Sequence, residues 1–165
     1  MPMLIRRLDP KADRSAVETL FAAATDYYLM AEGKPPGPEV TEDFFTACPP
    51  GCDPAASHRL GVFDGDMLAG VAELSFGFPA PGDAYLGLMI LAPAARGHGF
   101  GAALLHHIEA LARAAGATHL FLGVLEKNRK GRAFWQRKGF AATGFSRVDD
   151  AHGLANVLHR LVKPL

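Results

Sequence analysis

The sequence has few cysteines, no excess of charge of either sign and no long apolar run. Its two cysteines, Cys48 and Cys52, fall short of the four ligands of a closed zinc site and lack thioredoxin spacing, so we expect free thiols and no metal. Seventeen basic residues balance seventeen acidic ones, which argues against a nucleic-acid or membrane partner. The longest apolar stretch, 85–95, is too short to span a bilayer, and arginines interrupt the start of the chain where a signal peptide is apolar. We therefore expect a cytoplasmic protein.

The bulk composition is that of an ordinary globular protein. The 165 residues are 49% hydrophobic and 21% charged, which predicts one folded domain over 1–165. A small-molecule or peptide partner is the default for a neutral domain of this size. The sequence leaves the oligomeric state open, with a homodimer as one option.

Apolar periodicity and turn residues predict an α/β (α+β) fold. The run 33–38 has three prolines and two glycines and separates a first helix, which begins near Asp13, from a short second one. Asp64-Gly65 is a strong signal of a hairpin. The predicted strands are 4–8, 58–63, 67–76, 84–91, 119–125, 140–143 and 154–162. The other predicted helices are 39–46, 100–115 and 128–138, and strands 84–91 and 119–125 should pair in parallel around a helix.

A glycine-rich turn follows strand 84–91 and opens the helix after it. In the segment 96–102, Arg-Gly-His-Gly-Phe-Gly-Ala, alternating glycines remove side chains where helix amides point outward, which suits a pyrophosphate. On a purely structural interpretation the glycines only let the helix pack closely. Gly97-x-Gly99-x-x-Ala102 also fits the fingerprint of nicotinamide-dependent oxidoreductases, but five residues separate it from the strand and the acidic residue expected about twenty positions later is absent.

Two segments carry a resemblance to a known family. Pro93 followed by Arg96-x-x-Gly99-x-Gly101, and then Asn128 with Ala133 to Phe140, resemble the two signatures of the GCN5-related N-acetyltransferase (GNAT) superfamily. The resemblance implies a mixed, mostly antiparallel central sheet of about seven strands flanked by about four helices. It also implies transfer of an acetyl or related acyl group from acyl-CoA to a primary amine of a small molecule or peptide, with acetyl-CoA as co-substrate.

The same resemblance implies which residues hold the coenzyme. The end of the fourth strand would pair with the pantetheine arm, and the turn would hold the pyrophosphate. An asparagine and a phenylalanine after the fifth strand would lie beside the arm, although this phenylalanine is equally suited to the core. The implied residues are Met89, Ile90, Leu91, Arg96, Gly97, His98, Gly99, Phe100, Gly101, Ala102, Asn128 and Phe134.

Catalysis needs a base for the amine and a donor for the oxyanion. Glu73, on the third strand, and Glu126, at the end of the fifth, are the candidate bases, and each has the alternative of a solvent-exposed carboxylate. The oxyanion donor would be a backbone amide near Leu91, where the family's fourth strand bulges.

The acceptor pocket and the general acid are less defined. Tyr27 and Tyr28 are expected to wall the acceptor pocket, with Glu73 and Glu126 beside it. Trp135 stands where many family members have a tyrosine as general acid, and indole has no acidic proton. A coenzyme A-binding module without turnover is therefore the alternative function.

Overall fold

A seven-stranded sheet organises the chain in the computed structural model, which describes residues 2–165. The strand order is β1-β2-β3-β4-β5-β7-β6, and β4 and β5 are the only parallel neighbours in this described part. The strands are β1 Met3–Arg7, β2 His58–Asp64, β3 Met67–Phe76, β4 Asp83–Leu91, β5 His119–Leu125, β6 Ala141–Asp149 and β7 Asn156–Pro164. The predicted hairpin and the parallel pair are confirmed. A doubly wound parallel sheet, which the oxidoreductase alternative requires, is not the fold of this chain.

Five helices flank the sheet, where about four were expected. They are α1 Arg14–Ala23, α2 Thr25–Glu32, α3 Pro38–Thr46, α4 Phe100–Ala114 and α5 Arg129–Arg137. The predicted first helix is in fact α1 and α2, which are separated at Ala24, where ψ is 34°. The break lets Phe21 and Tyr28 meet edge to face at 5.8 Å in the core, so packing overrides the helical preference of alanine.

The two faces of the sheet carry separate hydrophobic cores. On one face α4 and α5 pack through buried residues such as Leu104, Ile108 and Trp135. On the other face α1, α2 and α3 pack through residues such as Val17 and Phe44. Within residues 2–165 no helix has the length and apolarity needed to cross a membrane.

The two central strands β4 and β5 are paired over only part of their length. Parallel pairing of β4 with β5 ends at Leu86 and Leu122. Beyond that point β4 continues only against β3, and β5 only against β7. The register between β3 and β4 shifts where Leu74 pairs with Leu86 and Glu73 pairs with Leu88, so Gly87 forms a β-bulge at the start of the gap.

Candidate active site

A cavity of about 690 Å³ occupies the gap between β4 and β5. Its walls come from both layers of the molecule: Tyr27 and Phe44 lie on the side of α1 to α3, and Asn128 and Trp135 on the side of α5. The cavity has the size of an ordinary small-molecule site. The parting of the two strands therefore creates a passage that joins the two faces of the sheet.

Two glycines follow directly on the last paired residues of β4 and β5. A Cβ at Gly87 would collide with Oε2 of Glu73. A Cβ at Gly123 would lie 3.1 Å from Oη of Tyr85 and 3.0 Å from a methyl carbon of Leu158. Each glycine thus leaves room for a polar side chain to lie across its strand at the point where the strands separate.

The carboxylate of Glu73 is buried at this point, with 6% of the residue exposed. It accepts a hydrogen bond from Ser75 Oγ, which is itself 2.7 Å from Ser57 Oγ, and it lies 3.8 Å from Nη1 of Arg59. Burial raises the pKa of Glu73, and the bond from Ser75 and the charge of Arg59 offset part of this rise. The solvent-exposed alternative for Glu73 is wrong.

Arg59 lies beside this carboxylate and is buried with it. Its guanidinium donates to the carbonyl oxygen of Phe44 at 2.7 Å, and one nitrogen, Nη2, has no hydrogen-bond partner among the described residues. It also reaches the cavity wall. The charge of this buried cation favours the ionised form of Glu73, against the effect of burial.

The turn before α4 presents free backbone amides. Gly97 and Gly99 have φ of 79° and 86°, and a Cβ at either would meet no atom within 4 Å. No side chain caps α4, and its first turn carries no acidic residue. In the described chain, the amides from Gly97 to Ala102 have no hydrogen-bond acceptor outside regular elements, and the first helical bond is that of Ala103. Uncapped amides at a positive helix end fit a bound diphosphate.

Two residues of the turn have roles that differ from the expected ones. Gly101 is buried, and a Cβ there would make ordinary van der Waals contacts with Leu91 and Phe134 at 3.4 to 3.6 Å, so this position does not open the turn to a ligand. Arg96 donates to Asp26 of α2 through both terminal nitrogens, at 2.6 and 3.1 Å, and lowers the pKa of that carboxyl. The Arg96 side chain thus ties the turn to α2.

Of the other predicted coenzyme residues, Met89 and Asn128 line the cavity in the gap, and Phe134 does not. Met89 lines the cavity, and the β4 backbone through Leu91 lacks a partner on the β5 side. Asn128 caps α5 by accepting from the amide of Gly131 at 2.9 Å, as its sequence position predicts, and it also lines the cavity. Phe134 packs against the start of α4.

The predicted oxyanion position needs a correction. The bulge lies at Gly87, four residues before Leu91, because Leu91 is paired normally with Gly70 of β3. The side chain of Leu91 packs between Gly70 and Gly101. The feature that suggested Leu91 as a catalytic position is therefore found at Gly87.

The predicted acceptor residues are only partly brought together. Tyr27 and Tyr28 line the cavity, and burial raises the pKa of both. Glu126 is exposed outside the cavity wall, where it lies 3.1 Å from Nε2 of His159. Trp135 is buried and lines the cavity. Glu126 is thus a turn residue in the structure.

Sequence reasoning missed several side chains of the cavity wall, among them those of Arg59, Tyr85 and Arg160. The register of β2, β4 and β7 brings them together, and a single sequence does not reveal this register. Gly87 and Gly123 were the available signal, because a glycine inside an apolar strand marks a bulge or a close approach.

The cysteines lie beside this cavity as free thiols. Cys48 lines the wall and donates to the carbonyl of Cys52 at 3.3 Å. Residues 2–165 contain no group of three or more histidine, cysteine, aspartate or glutamate side chains placed to hold a metal ion.

Comparisons with known proteins find the same fold in solved structures. An acetyltransferase from Thermus thermophilus is 24% identical, with a TM-score of 0.77 over 100% of this chain and 98% of that one. A GCN5-related N-acetyltransferase from Kribbella flavida is 22% identical, with a TM-score of 0.71 over 99% and 98%. The ribosomal-protein-S18-alanine N-acetyltransferase of Escherichia coli is 16% identical, with a TM-score of 0.72 over 99% and 94%. At these identities the likeness shows the fold.

The family follows from the sequence itself. None of the curated proteins compared with the chain is significantly similar to it. The model of the acetyltransferase (GNAT) family, however, matches residues 17–140, which is most of the chain. The typical reaction of that family is transfer of an acyl group from acyl-CoA to an amine. The chain belongs to the GNAT family of acetyltransferases.

Proposed function

We propose that the protein is an acetyl-CoA-dependent N-acetyltransferase that uses Glu73 as its general base. The observation that carries the proposal is the succession of three features along β4 and the turn that follows it: the buried carboxylate at Gly87, the unpaired edge of β4, and the open amides of 97–102. A reacting amine fits the first, an extended arm with amides fits the second, and a diphosphate fits the third.

The residues of the chain supply the proton transfers. Glu73 takes a proton from the ammonium group of the acceptor, directly or through one water, because its raised pKa makes the carboxylate a stronger base. The free amine forms the new C–N bond, while the backbone freed from the ladder by the bulge at Gly87 donates to the oxyanion. Acetyl-CoA, when bound, supplies a thioester whose thiol has a pKa of about 8.5 and leaves without a strong acid. Trp135 is therefore compatible with turnover.

Calorimetry and thiol release test the proposal in two steps. Coenzyme A and acetyl-CoA should bind, and an amine panel should release thiol above background in the presence of acetyl-CoA. No binding at millimolar coenzyme would contradict the proposal.

Trp135 favours a second candidate function, a coenzyme A-binding module without turnover, because the family's usual acid is missing there. Coenzyme binding with no thiol release across the whole amine panel would support this second function over the first.

A further inference from the structure

Arg160 of β7 is a cation of the cavity wall without a carboxylate partner. Its guanidinium carbon lies 4.3 Å from the ring centre of Phe145 and 5.0 Å from that of Phe78. Among residues 2–165, no carboxylate oxygen lies within 4.0 Å of it, whereas four of the other ten arginines have such a partner at 2.6 to 3.8 Å. These paired arginines are Arg6, Arg14, Arg59 and Arg96. A half-buried cation held between two rings and lacking a counter-charge favours an anion in the cavity.

The unpaired cation lies where the two strands separate. Arg160 pairs with Gly123 in the β5–β7 register, and the Tyr85 hydroxyl lies over that same glycine. Tyr85, Arg147 and Arg160 all line the cavity. Burial raises the pKa of Tyr85, and Arg160 and Arg147 oppose this rise. The hydroxyl stays protonated and can donate to an anion.

The coenzyme's phosphates do not account for this cation. The glycine-rich turn begins at Gly97, ten residues after Gly87 along the chain. The part of β4 from Gly87 to Leu91 alone spans about 13 Å at ~3.3 Å per residue, so the turn lies well beyond the point where the strands separate. The carboxylate of Glu73, in contrast, lies over Gly87 of β4. Gly87 and Gly123 each follow the last paired residue of their strand, so this carboxylate is about one strand spacing, or ~5 Å, from Gly123. A positive and a negative group of the protein thus face the reacting point together.

We propose that the acceptor carries an anionic group a few bonds from its amine, as an amino acid does, and that Arg160 binds this anion with Tyr85 beside it. The inference rests on the proposed function and names its substrate class. Arg147 adds a second cation on the exposed strand β6, but it shares a strand face with Asp149, so Arg160 is the specificity-determining residue. Arg160 and a carboxylate or phosphate match as a fork of two donors with two acceptors.

Thiol release with acetyl-CoA and paired acceptors tests the inference. The panel pairs each of the twenty amino acids with its α-amide, and O-phosphoethanolamine with ethanolamine. The two members of each pair differ in the anionic group, and the two kinds of pair distinguish a carboxylate from a phosphate. We expect kcat/KM for the best anionic acceptor to exceed that of its neutral partner by about tenfold to hundredfold, as for a charged hydrogen bond. Equal rates within every pair would overturn the inference and leave the proposed function standing.

Variants assign the effect to Arg160. Arg160→Gln should lower the ratio of kcat/KM for the anionic acceptor to kcat/KM for its neutral partner by about tenfold or more, and Arg160→Lys should restore part of that ratio. Arg113→Gln, an exposed arginine in the last turn of α4, is the charge-matched control. If Arg160→Gln does not fold stably, the melting temperature of the native protein can be measured in the presence of N-acetyl amino acids and of their amides. A larger rise of the melting temperature with the acids supports the inference, and an equal rise with acids and amides overturns it. Absence of both coenzyme binding and thiol release would overturn the proposed function and this inference together.

Discussion

Replacing Glu73 by glutamine removes the proposed base with little change of side-chain size. Glutamine keeps an oxygen that can accept the hydrogen bond from Ser75, but it cannot take a proton from an ammonium group. General-base catalysis contributes roughly 10²- to 10⁴-fold. We therefore expect kcat to fall by that factor, which corresponds to about 3 to 5 kcal/mol in the activation barrier.

The pH dependence gives the same substitution a second readout. Burial raises the pKa of Glu73 above its ordinary value, and a base acts only in its deprotonated form. The rate of the native protein should fall as pH decreases through this raised pKa, and Glu73→Gln should lose that acid limb. Thiol release at saturating acceptor, followed across the acid range, measures both. A native kcat with an intact acid limb would refute the reasoning.

Two controls separate catalysis from folding. Glu126→Gln alters the other candidate carboxylate, which is exposed and outside the cavity, so it should change neither kcat nor the pH profile. Glu73→Gln also leaves Arg59 without its counter-charge, and we expect the free energy of unfolding to fall by about 1 to 3 kcal/mol in urea denaturation. Coenzyme affinity in calorimetry should remain native in both variants.

Four further substitutions test the site and the elements that position it. Gly99→Ala should lower the free energy of unfolding by about 1 to 2 kcal/mol, because φ at Gly99 is 86°, and it should weaken coenzyme binding. Gly101→Ala adds a Cβ that makes only ordinary contacts, so it should leave the free energy of unfolding unchanged or raise it by up to about 1 kcal/mol, and it should bind coenzyme normally. Equal coenzyme affinities in calorimetry would contradict the assignment of the open turn. Gly87→Ala should displace the Glu73 carboxylate and lower kcat without loss of coenzyme affinity, and an unchanged kcat would argue against that geometry. Asn128→Ala removes the cap of α5 and should lower the free energy of unfolding by about 1 kcal/mol, so a native thermal unfolding curve would count against the cap.

Local signals account for the parts of the fold that the sequence predicts well. The hairpin at Asp64-Gly65 and the cap at Asn128 depend on residues that are close in sequence, and both occur where expected. The break at Ala24 has no such signal, because alanine is the best helix former and the bend follows from the contact between Phe21 and Tyr28. Elements set by tertiary packing are thus the ones that pattern analysis merges or misses.

The candidate site divides in the same way. The glycine-rich turn is contiguous, so its glycines and their helix could be predicted from spacing alone. The bulge depends on how β3 pairs with β4, and the position of Arg160 depends on how β7 pairs with β5. Register is a property of two strands, and for this reason the sequence does not correct the position near Leu91 that the family resemblance implies, and the bulge lies at Gly87.

The balanced total charge also conceals how charge is distributed around the gap. Seventeen positive and seventeen negative residues exclude a strong overall field, but the ion pairs that they form lie mostly away from the gap, as for Arg6 with Asp13 and Arg14 with Glu42. Where the strands separate, Glu73 is matched only at 3.8 Å, and Arg160 has two aromatic rings in place of a carboxylate. Because water is partly excluded there, these incompletely matched charges act more strongly on a bound molecule than the exposed pairs do. A neutral protein can therefore select a zwitterionic acceptor through two residues. The paired acceptors and the Arg160 variants test the role of the cation, and Glu73→Gln tests the role of the carboxylate.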